Sequence, residues 1–158
     1  MDVKTLRLAS IQLTEPLLLQ FLAYEQALVA ELDRSEGHTD WSGRFAFAHQ
    51  HALHESKLDV HTYAKVRALV GDWCSRRGTL EVVRRRLGTA KASATETLAT
   101  PKEQRLIERA ERELPALEQL TDLEERYGRE AVALLERHGE AVLASHRTVA
   151  HREGCHQL

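Results

Sequence analysis

Residues 13–37 read LTEPLLLQFLAYEQALVAELDRSEG, and their spacing decides the fold. Leu18, Phe21, Leu22, Leu28, Val29 and Leu32 recur at threes and fours, which at about 100° per residue places them on one side of a helix. Thr14 precedes the stripe as an N-cap, Pro16 sits in the first turn where its missing N–H costs no hydrogen bond, and Gly37 follows the charged end. A helix over 15–34 is therefore expected. Glu25 falls in the middle of its apolar stripe. An ionised carboxylate among leucines is costly unless paired, so a His, Arg or Tyr from a facing helix is expected to meet it.

Helical periodicity continues along the chain. FAHQHALHES, residues 47–56, belongs to a second helix started by Asp40 or Ser42 and ending near Glu55. With Phe45, Ala48 and Ala52 toward the core, Phe47, His51, His54 and Leu58 form a second stripe suited to a covering helix or partner. Such a contact would weaken from about pH 7 to about pH 5.5 as the imidazoles gain charge. Asp59 caps a third helix whose face is Tyr63, Val66, Leu69, Val70, Trp73, Leu80 and Leu87. Gly78 weakens this helix without ending it. The small, polar residues 88–100 read as an internal loop or linker.

Thr100, Pro101 and Glu103 then form a capping box at the start of a fourth helix. Its stripe is Leu106, Ala110, Leu114, Leu117, Leu120, Leu123 and Tyr127, with Gly128 as C-cap and a kink near 111–115 where Pro115 removes a donor. A last helix over about 129–149 buries Ala131, Leu135, Val142 and Val149, with His138 and His146 at the edge of that face. Residues 150–158 read as a frayed tail. The fold expected is a single all-α domain over 1–158, an antiparallel bundle of four to five helices with a kink near Pro115.

Composition agrees, since aromatics make up only 5% of the 158 residues and strong helix formers dominate, which disfavours an all-β fold. The formal net charge of −2 offers nucleic acid no overall attraction, and no apolar run is long enough for a membrane span. The charge is unevenly spread. Residues 60–92 hold eight basic against two acidic residues, and residues 101–140 hold eleven acidic against seven basic. Pairing between these oppositely charged helices is the simplest account of both.

The chain has nine histidines. The candidate metal ligands are Glu25, His49, His51, His54, His138 and His146, because helices facing one another across a bundle could bring them together. Zinc, iron or copper are the metals such ligands would take. The spacing is unspecific, however: HExxH and CxxCH are missing and ExxH occurs once, at Glu153–His156, where a carboxylate-bridged di-iron bundle needs two on separate helices, so ordinary helix surface is the simpler reading and no cofactor is expected. The tail gathers His146, His151, Cys155 and His156, with His151 and Cys155 at i,i+4 as its best pair for zinc or copper, but a chain terminus with little to anchor it is expected to fray. Cys74 lies beside Trp73 on an apolar face, where a thiol is unreactive, and no GxSxG, Walker A or GxGxxG is present.

The stretches LTEPLLLQFLAYEQAL, LVGDWCSRR and LEERYGREAVALLERHGEAVL resemble, as a loose pattern over most of the chain, small uncharacterised helical proteins of some bacteria that are commonly labelled lipoproteins. That resemblance implies an all-helical architecture and an envelope location, periplasmic or membrane-anchored, and no catalytic residues. The chain departs from it in having neither a lipobox cysteine nor an export signal near its start, which by itself points to the cytoplasm. The function expected is a non-enzymatic binding or scaffold domain whose partner is a protein, a second copy included. The alternative is a metal-binding or sensory bundle using Glu25 and the histidines.

Overall fold

The computed structural model describes residues 11–35, 40–96 and 100–154. Every regular element among them is a helix: α1 (Glu15–Arg34), α2 (Trp41–Ser56), α3 (Val60–Glu96), α4 (Pro101–Glu118), α5 (Thr121–Tyr127), α6 (Arg129–Arg137) and α7 (Gly139–Gly154). The all-α bundle read from the sequence is the architecture observed. Counting α4–α5 and α6–α7 as interrupted single helices, it has five arms.

Local chemistry starts and stops these helices. Thr14 Oγ1 accepts from the Leu17 N–H at 3.4 Å, and the Asp40 carboxylate accepts from the Gly43 N–H at 3.2 Å. Asp59 Oδ1 accepts from the backbone of both His61 and Thr62 at 3.0 and 2.9 Å. At the end of α2, Lys57 adopts φ 58°, and the turn closes with Leu58 N–H on Leu53 O at 3.1 Å. That turn tucks Leu58 into the core at 6% exposure. The expected second stripe therefore does not exist: Phe47 is 61% exposed beside His51, while Leu58 faces inward.

The core is α1 surrounded by its neighbours. Leu18, Phe21, Tyr24, Glu25 and Leu28 are almost fully buried against Ala48 and Ala52 of α2, Tyr63, Val66, Leu69, Val70 and Trp73 of α3, and Val132, Leu135, Val142 and Val149 of α6–α7. Arg44 of α2 donates to Leu32 O at 3.0 Å, so α1 and α2 run antiparallel. Side-chain pairs Glu15 with His138, Glu25 with Ser145 and Asp33 with Arg152 advance together, so α1 and α7, distant in sequence, run parallel. At the α6–α7 junction Gly139 lies under the Trp73 ring; a Cβ there would come within 3.3 Å of it. Gly128, between α5 and α6, has φ 92°, a conformation that only glycine adopts without strain.

Three boundaries differ from the sequence reading. Residues 88–100 are not a loop as far as Glu96, because α3 continues through Gly88 to that residue. The alanines of that stretch favour helix, and Lys91 is tied to Glu111 of α4 at 2.6 Å. The interruption assigned to Pro115 falls at Gln119–Leu120, since α4 carries Pro115 in its last turn and ends when Gln119 turns extended. Residues 150–154 are helical, held by Arg152 to Asp33 and Glu153 to Arg67. The phase of α4 also shifts: Ile107, Ala110, Leu114 and Leu117 are half-buried, and Leu106 is 56% exposed.

Charge pairing between the basic and acidic segments is extensive. Arg76 meets Asp122, Arg77 meets Glu136, Arg84 meets Glu118 and Lys91 meets Glu111, while Arg126 returns to Asp72. Each exposed pair contributes little, about 0–1 kcal/mol. As a row they set the antiparallel register of α4 on α3. α4 packs chiefly against α3 and has no fully buried residue. The two form a projecting antiparallel arm.

Candidate functional site

The sequence candidates divide. Among the described residues no three His, Cys, Asp or Glu side chains gather as a metal site. His54 is exposed beside Glu55, His51 faces Glu31 at 3.9 Å, and His138 bonds Glu15 at 3.0 Å near the start of α1. His151 lies in α7, and Cys155 and His156 fall outside the described residues. Glu25, His49 and His146 do share a neighbourhood, because the Arg67 guanidinium acts electrostatically on all three.

Arg67 extends from α3 and is fixed by α7: its Nη2 donates to both carboxylate oxygens of Glu153, at 3.0 and 3.2 Å. It lines an open groove of about 590 Å3 with Phe45 and His49 of α2, Tyr63, Ala64 and Ala68 of α3, and Glu153. The rings of Phe45 and His49 lie nearly parallel, 5° apart in plane, and Tyr63 is 5.0 Å from His49 by centroid. Helix periodicity builds this wall. Phe45 and His49 are one turn apart on α2, and Tyr63 and Arg67 one turn apart on α3, so each pair shares a face.

Behind the wall, the Tyr24 hydroxyl meets His49 Nδ1 at 2.6 Å. Burial raises the Tyr24 pKa far above that of a free phenol, so its hydroxyl keeps its proton. Burial and then Arg67 lower the His49 pKa, which favours the neutral imidazole, and the direction of its bond with Tyr24 follows its tautomer. His146 is likewise depressed, by burial first and Arg67 second.

Glu25 is deeper, 1% exposed. Its partner is neither His, Arg nor Tyr but the hydroxyl of Ser145, which donates to Oε2, while Oε1 has no hydrogen-bond partner. Burial pushes its carboxyl up to about 6, against the Ser145 bond and Arg67, which pull it down. Spacing could have revealed Ser145, three residues after Val142 and four before Val149 on the buried face of α7. Arg67 and Glu153 gave no such signal, since both sit at stripe edges where solvent exposure is the ordinary outcome.

The groove offers recognition groups and no activated nucleophile. Cys74, the one cysteine among the described residues, is buried, and that burial pushes its thiol up to about 12. No helix among the described residues is long and apolar enough to cross a membrane. No family model, curated protein or solved structure matches the chain.

A second surface lies on the arm. Lys102, Arg105, Arg109 and Arg112, at i, i+3, i+7 and i+10, form an exposed basic stripe on α4 beside Leu106, edged by Glu108 and Glu113. Arg109 pairs with Glu113 at 2.8 Å. Lys102, Arg105 and Arg112 have no ion-pair partner among the described residues.

Proposed function

We propose that this protein is a non-enzymatic helical binding domain that associates with a second copy of itself through the basic face of its arm. The observation that carries the reading is α4: eighteen residues long and firmly capped at its start, it buries none of them fully and leaves Leu106 exposed beside the basic stripe. A helix in a finished fold normally buries its apolar stripe. Charge complementarity favours a second copy as the occupant, because Glu125, Glu130 and Glu140 on α5–α7 are exposed acids without ion-pair partners among the described residues. An envelope location belongs to the same reading only through the resemblance to small helical lipoproteins.

Sedimentation equilibrium at about 0.05 M and about 0.5 M salt tests this, since surface charge attraction fades as the Debye length shrinks. Dimer at low salt, lost at high salt and in the Arg105→Glu, Arg112→Glu double variant, is the expected result. A monomer throughout, or a dimer indifferent to both changes, overturns it.

One observation favours a second reading, a metal-binding or sensory bundle: the buried, unpartnered Oε1 of Glu25 could hold a proton or an ion. Elemental analysis of untagged protein separates the two readings, with stoichiometric zinc, iron or copper supporting the second.

A further inference from the structure

The last described helix is held to the bundle more by polar ties than by apolar burial. Of its sixteen residues α7 buries only Val142 and Val149, where α1 buries seven of twenty. Its break from α6 is a single residue, His138, at φ −100° and ψ 15°. The His138 N–H still reaches Leu134 O, and the Val142 N–H reaches His138 O, both at 3.1 Å, so helical bonding resumes on either side. Between them the amides of Gly139, Glu140 and Ala141 have no backbone acceptor among the described residues. A break in the hydrogen-bond ladder is where a helix bends, and Gly139 adds no side chain to resist it. The junction is a hinge.

Beyond the hinge α7 is tied at the surface. Arg152 pairs with Asp33 of α1 at 2.9 Å, Glu153 with Arg67 of α3 at 3.0 Å, and Arg147 with Glu81 of α3. All six side chains are 32% or more exposed, so salt screens these ties. At the middle of α7, Ser145 donates to Glu25 Oε2 and leaves Oε1 with no partner in the closed interface. A buried carboxylate oxygen without a hydrogen bond is costly, and water satisfies it once α7 is away. Arg67 and Glu153, the charges that act on Glu25, are opposite in sign and paired with each other, so they offset little of that cost. Glu25 therefore favours opening.

We propose that α7 is a hinged cover that opens as one unit about His138–Gly139 while α1 and α3 stay folded, latched by its three surface ion pairs and biased open by Glu25. Opening gives water and protons their route to the Glu25 carboxyl. The remaining core holds without α7, because Phe21, Tyr24, Tyr63, Val66, Val132 and Leu135 lie on helices that do not move. The inference is independent of the arm and holds whether or not an ion binds Glu25.

The test is native-state hydrogen exchange of the full chain, followed by NMR at about pH 7.5 in about 0.05 M and about 0.5 M sodium chloride. The amides of residues 143–150 should share one opening constant, about tenfold or more above that of the slowest amides in α1 and α3, with little dependence on denaturant. Higher salt should raise that constant about threefold or more, and so should Arg152→Gln at low salt. Glu25→Gln should lower it severalfold, because opening no longer releases a buried carboxylate. Opening no easier than that of the slowest α1 amides overturns the proposal, as does protection that falls off residue by residue toward Gly154. An opening constant indifferent to salt, to Arg152→Gln or to Glu25→Gln overturns it as well.

Discussion

Replacing Glu25 by Gln should make the protein more stable near neutral pH and leave that advantage absent in acid. The carboxyl is 1% exposed, and burial raises its pKa from 4.5 to about 6, in spite of the bond from Ser145. One pKa unit corresponds to about 1.4 kcal/mol, so ionising Glu25 in the folded chain costs about 2 kcal/mol relative to the unfolded one. Because the folded pKa lies above the unfolded value, the protonated side chain costs nothing below about 4.5, and stability is lost as pH rises through about 6. Gln cannot ionise and escapes the loss. Its amide adds one constant term from the position of Oε1, which has no partner already.

The stability of Glu25→Gln relative to the native chain should therefore rise by about 2 kcal/mol between about pH 4.5 and about pH 7.5. His49 and His146 work in the opposite direction, since their lowered pKa values make protonation in acid costly, but they are present in both proteins and cancel in the difference. Urea denaturation across that range, followed by the fluorescence of the buried Trp73 and by far-UV circular dichroism, measures it. A difference between the two proteins that does not change with pH would refute the reasoning. So would Ser145→Ala lowering the transition pH, because loss of the bond to the ionised form must raise it.

Gly139→Ala should destabilise by about 1–3 kcal/mol, because the new methyl meets the Trp73 ring at 3.3 Å and that ring is held by its Nε1–H bond to Glu136 at 2.7 Å; a thermal melt unchanged from the native would contradict this. Thr100→Ala removes a capping box and should cost about 1 kcal/mol, seen in hydrogen exchange as faster opening confined to the first turns of α4. Cys74 in a Cys155→Ser background should resist an aromatic disulfide reagent at about pH 8 until urea unfolds the chain, in keeping with a thiol pushed up to about 12. Labelling of the native protein at the rate of a free thiol would place Cys74 outside the core.

Much of the fold was legible because the signals are local. The stripe of α1, its Thr14 cap and its limits at 15–34 follow from side chains within a few turns of one another, and so does the capping box at Thr100. Burial of Glu25 was readable too, since helical phase alone placed it among Leu18, Phe21, Leu22 and Leu28. Opposite charge on two helical segments foretold the ladder from Arg76 to Lys91. The segment 88–96 was misread as a loop because its apolar stripe is thin, with small alanines supplying helix propensity but little periodicity.

What sequence could not decide was which edges of the stripes meet. Whether Glu25 finds Arg, His or Ser depends on the parallel run of α1 and α7, two helices separated by most of the chain, and no local pattern fixes that register. Phe45, His49, Tyr63, Arg67 and Glu153 each sit at the margin of a helical face, where a residue is solvated or enclosed according to what the neighbouring helix leaves uncovered. Three helices meeting at one point turned those marginal positions into a groove. A helical stripe fixes the side that is buried, and only packing, through the crossing and register of whole helices, determines which polar groups are brought together beside it.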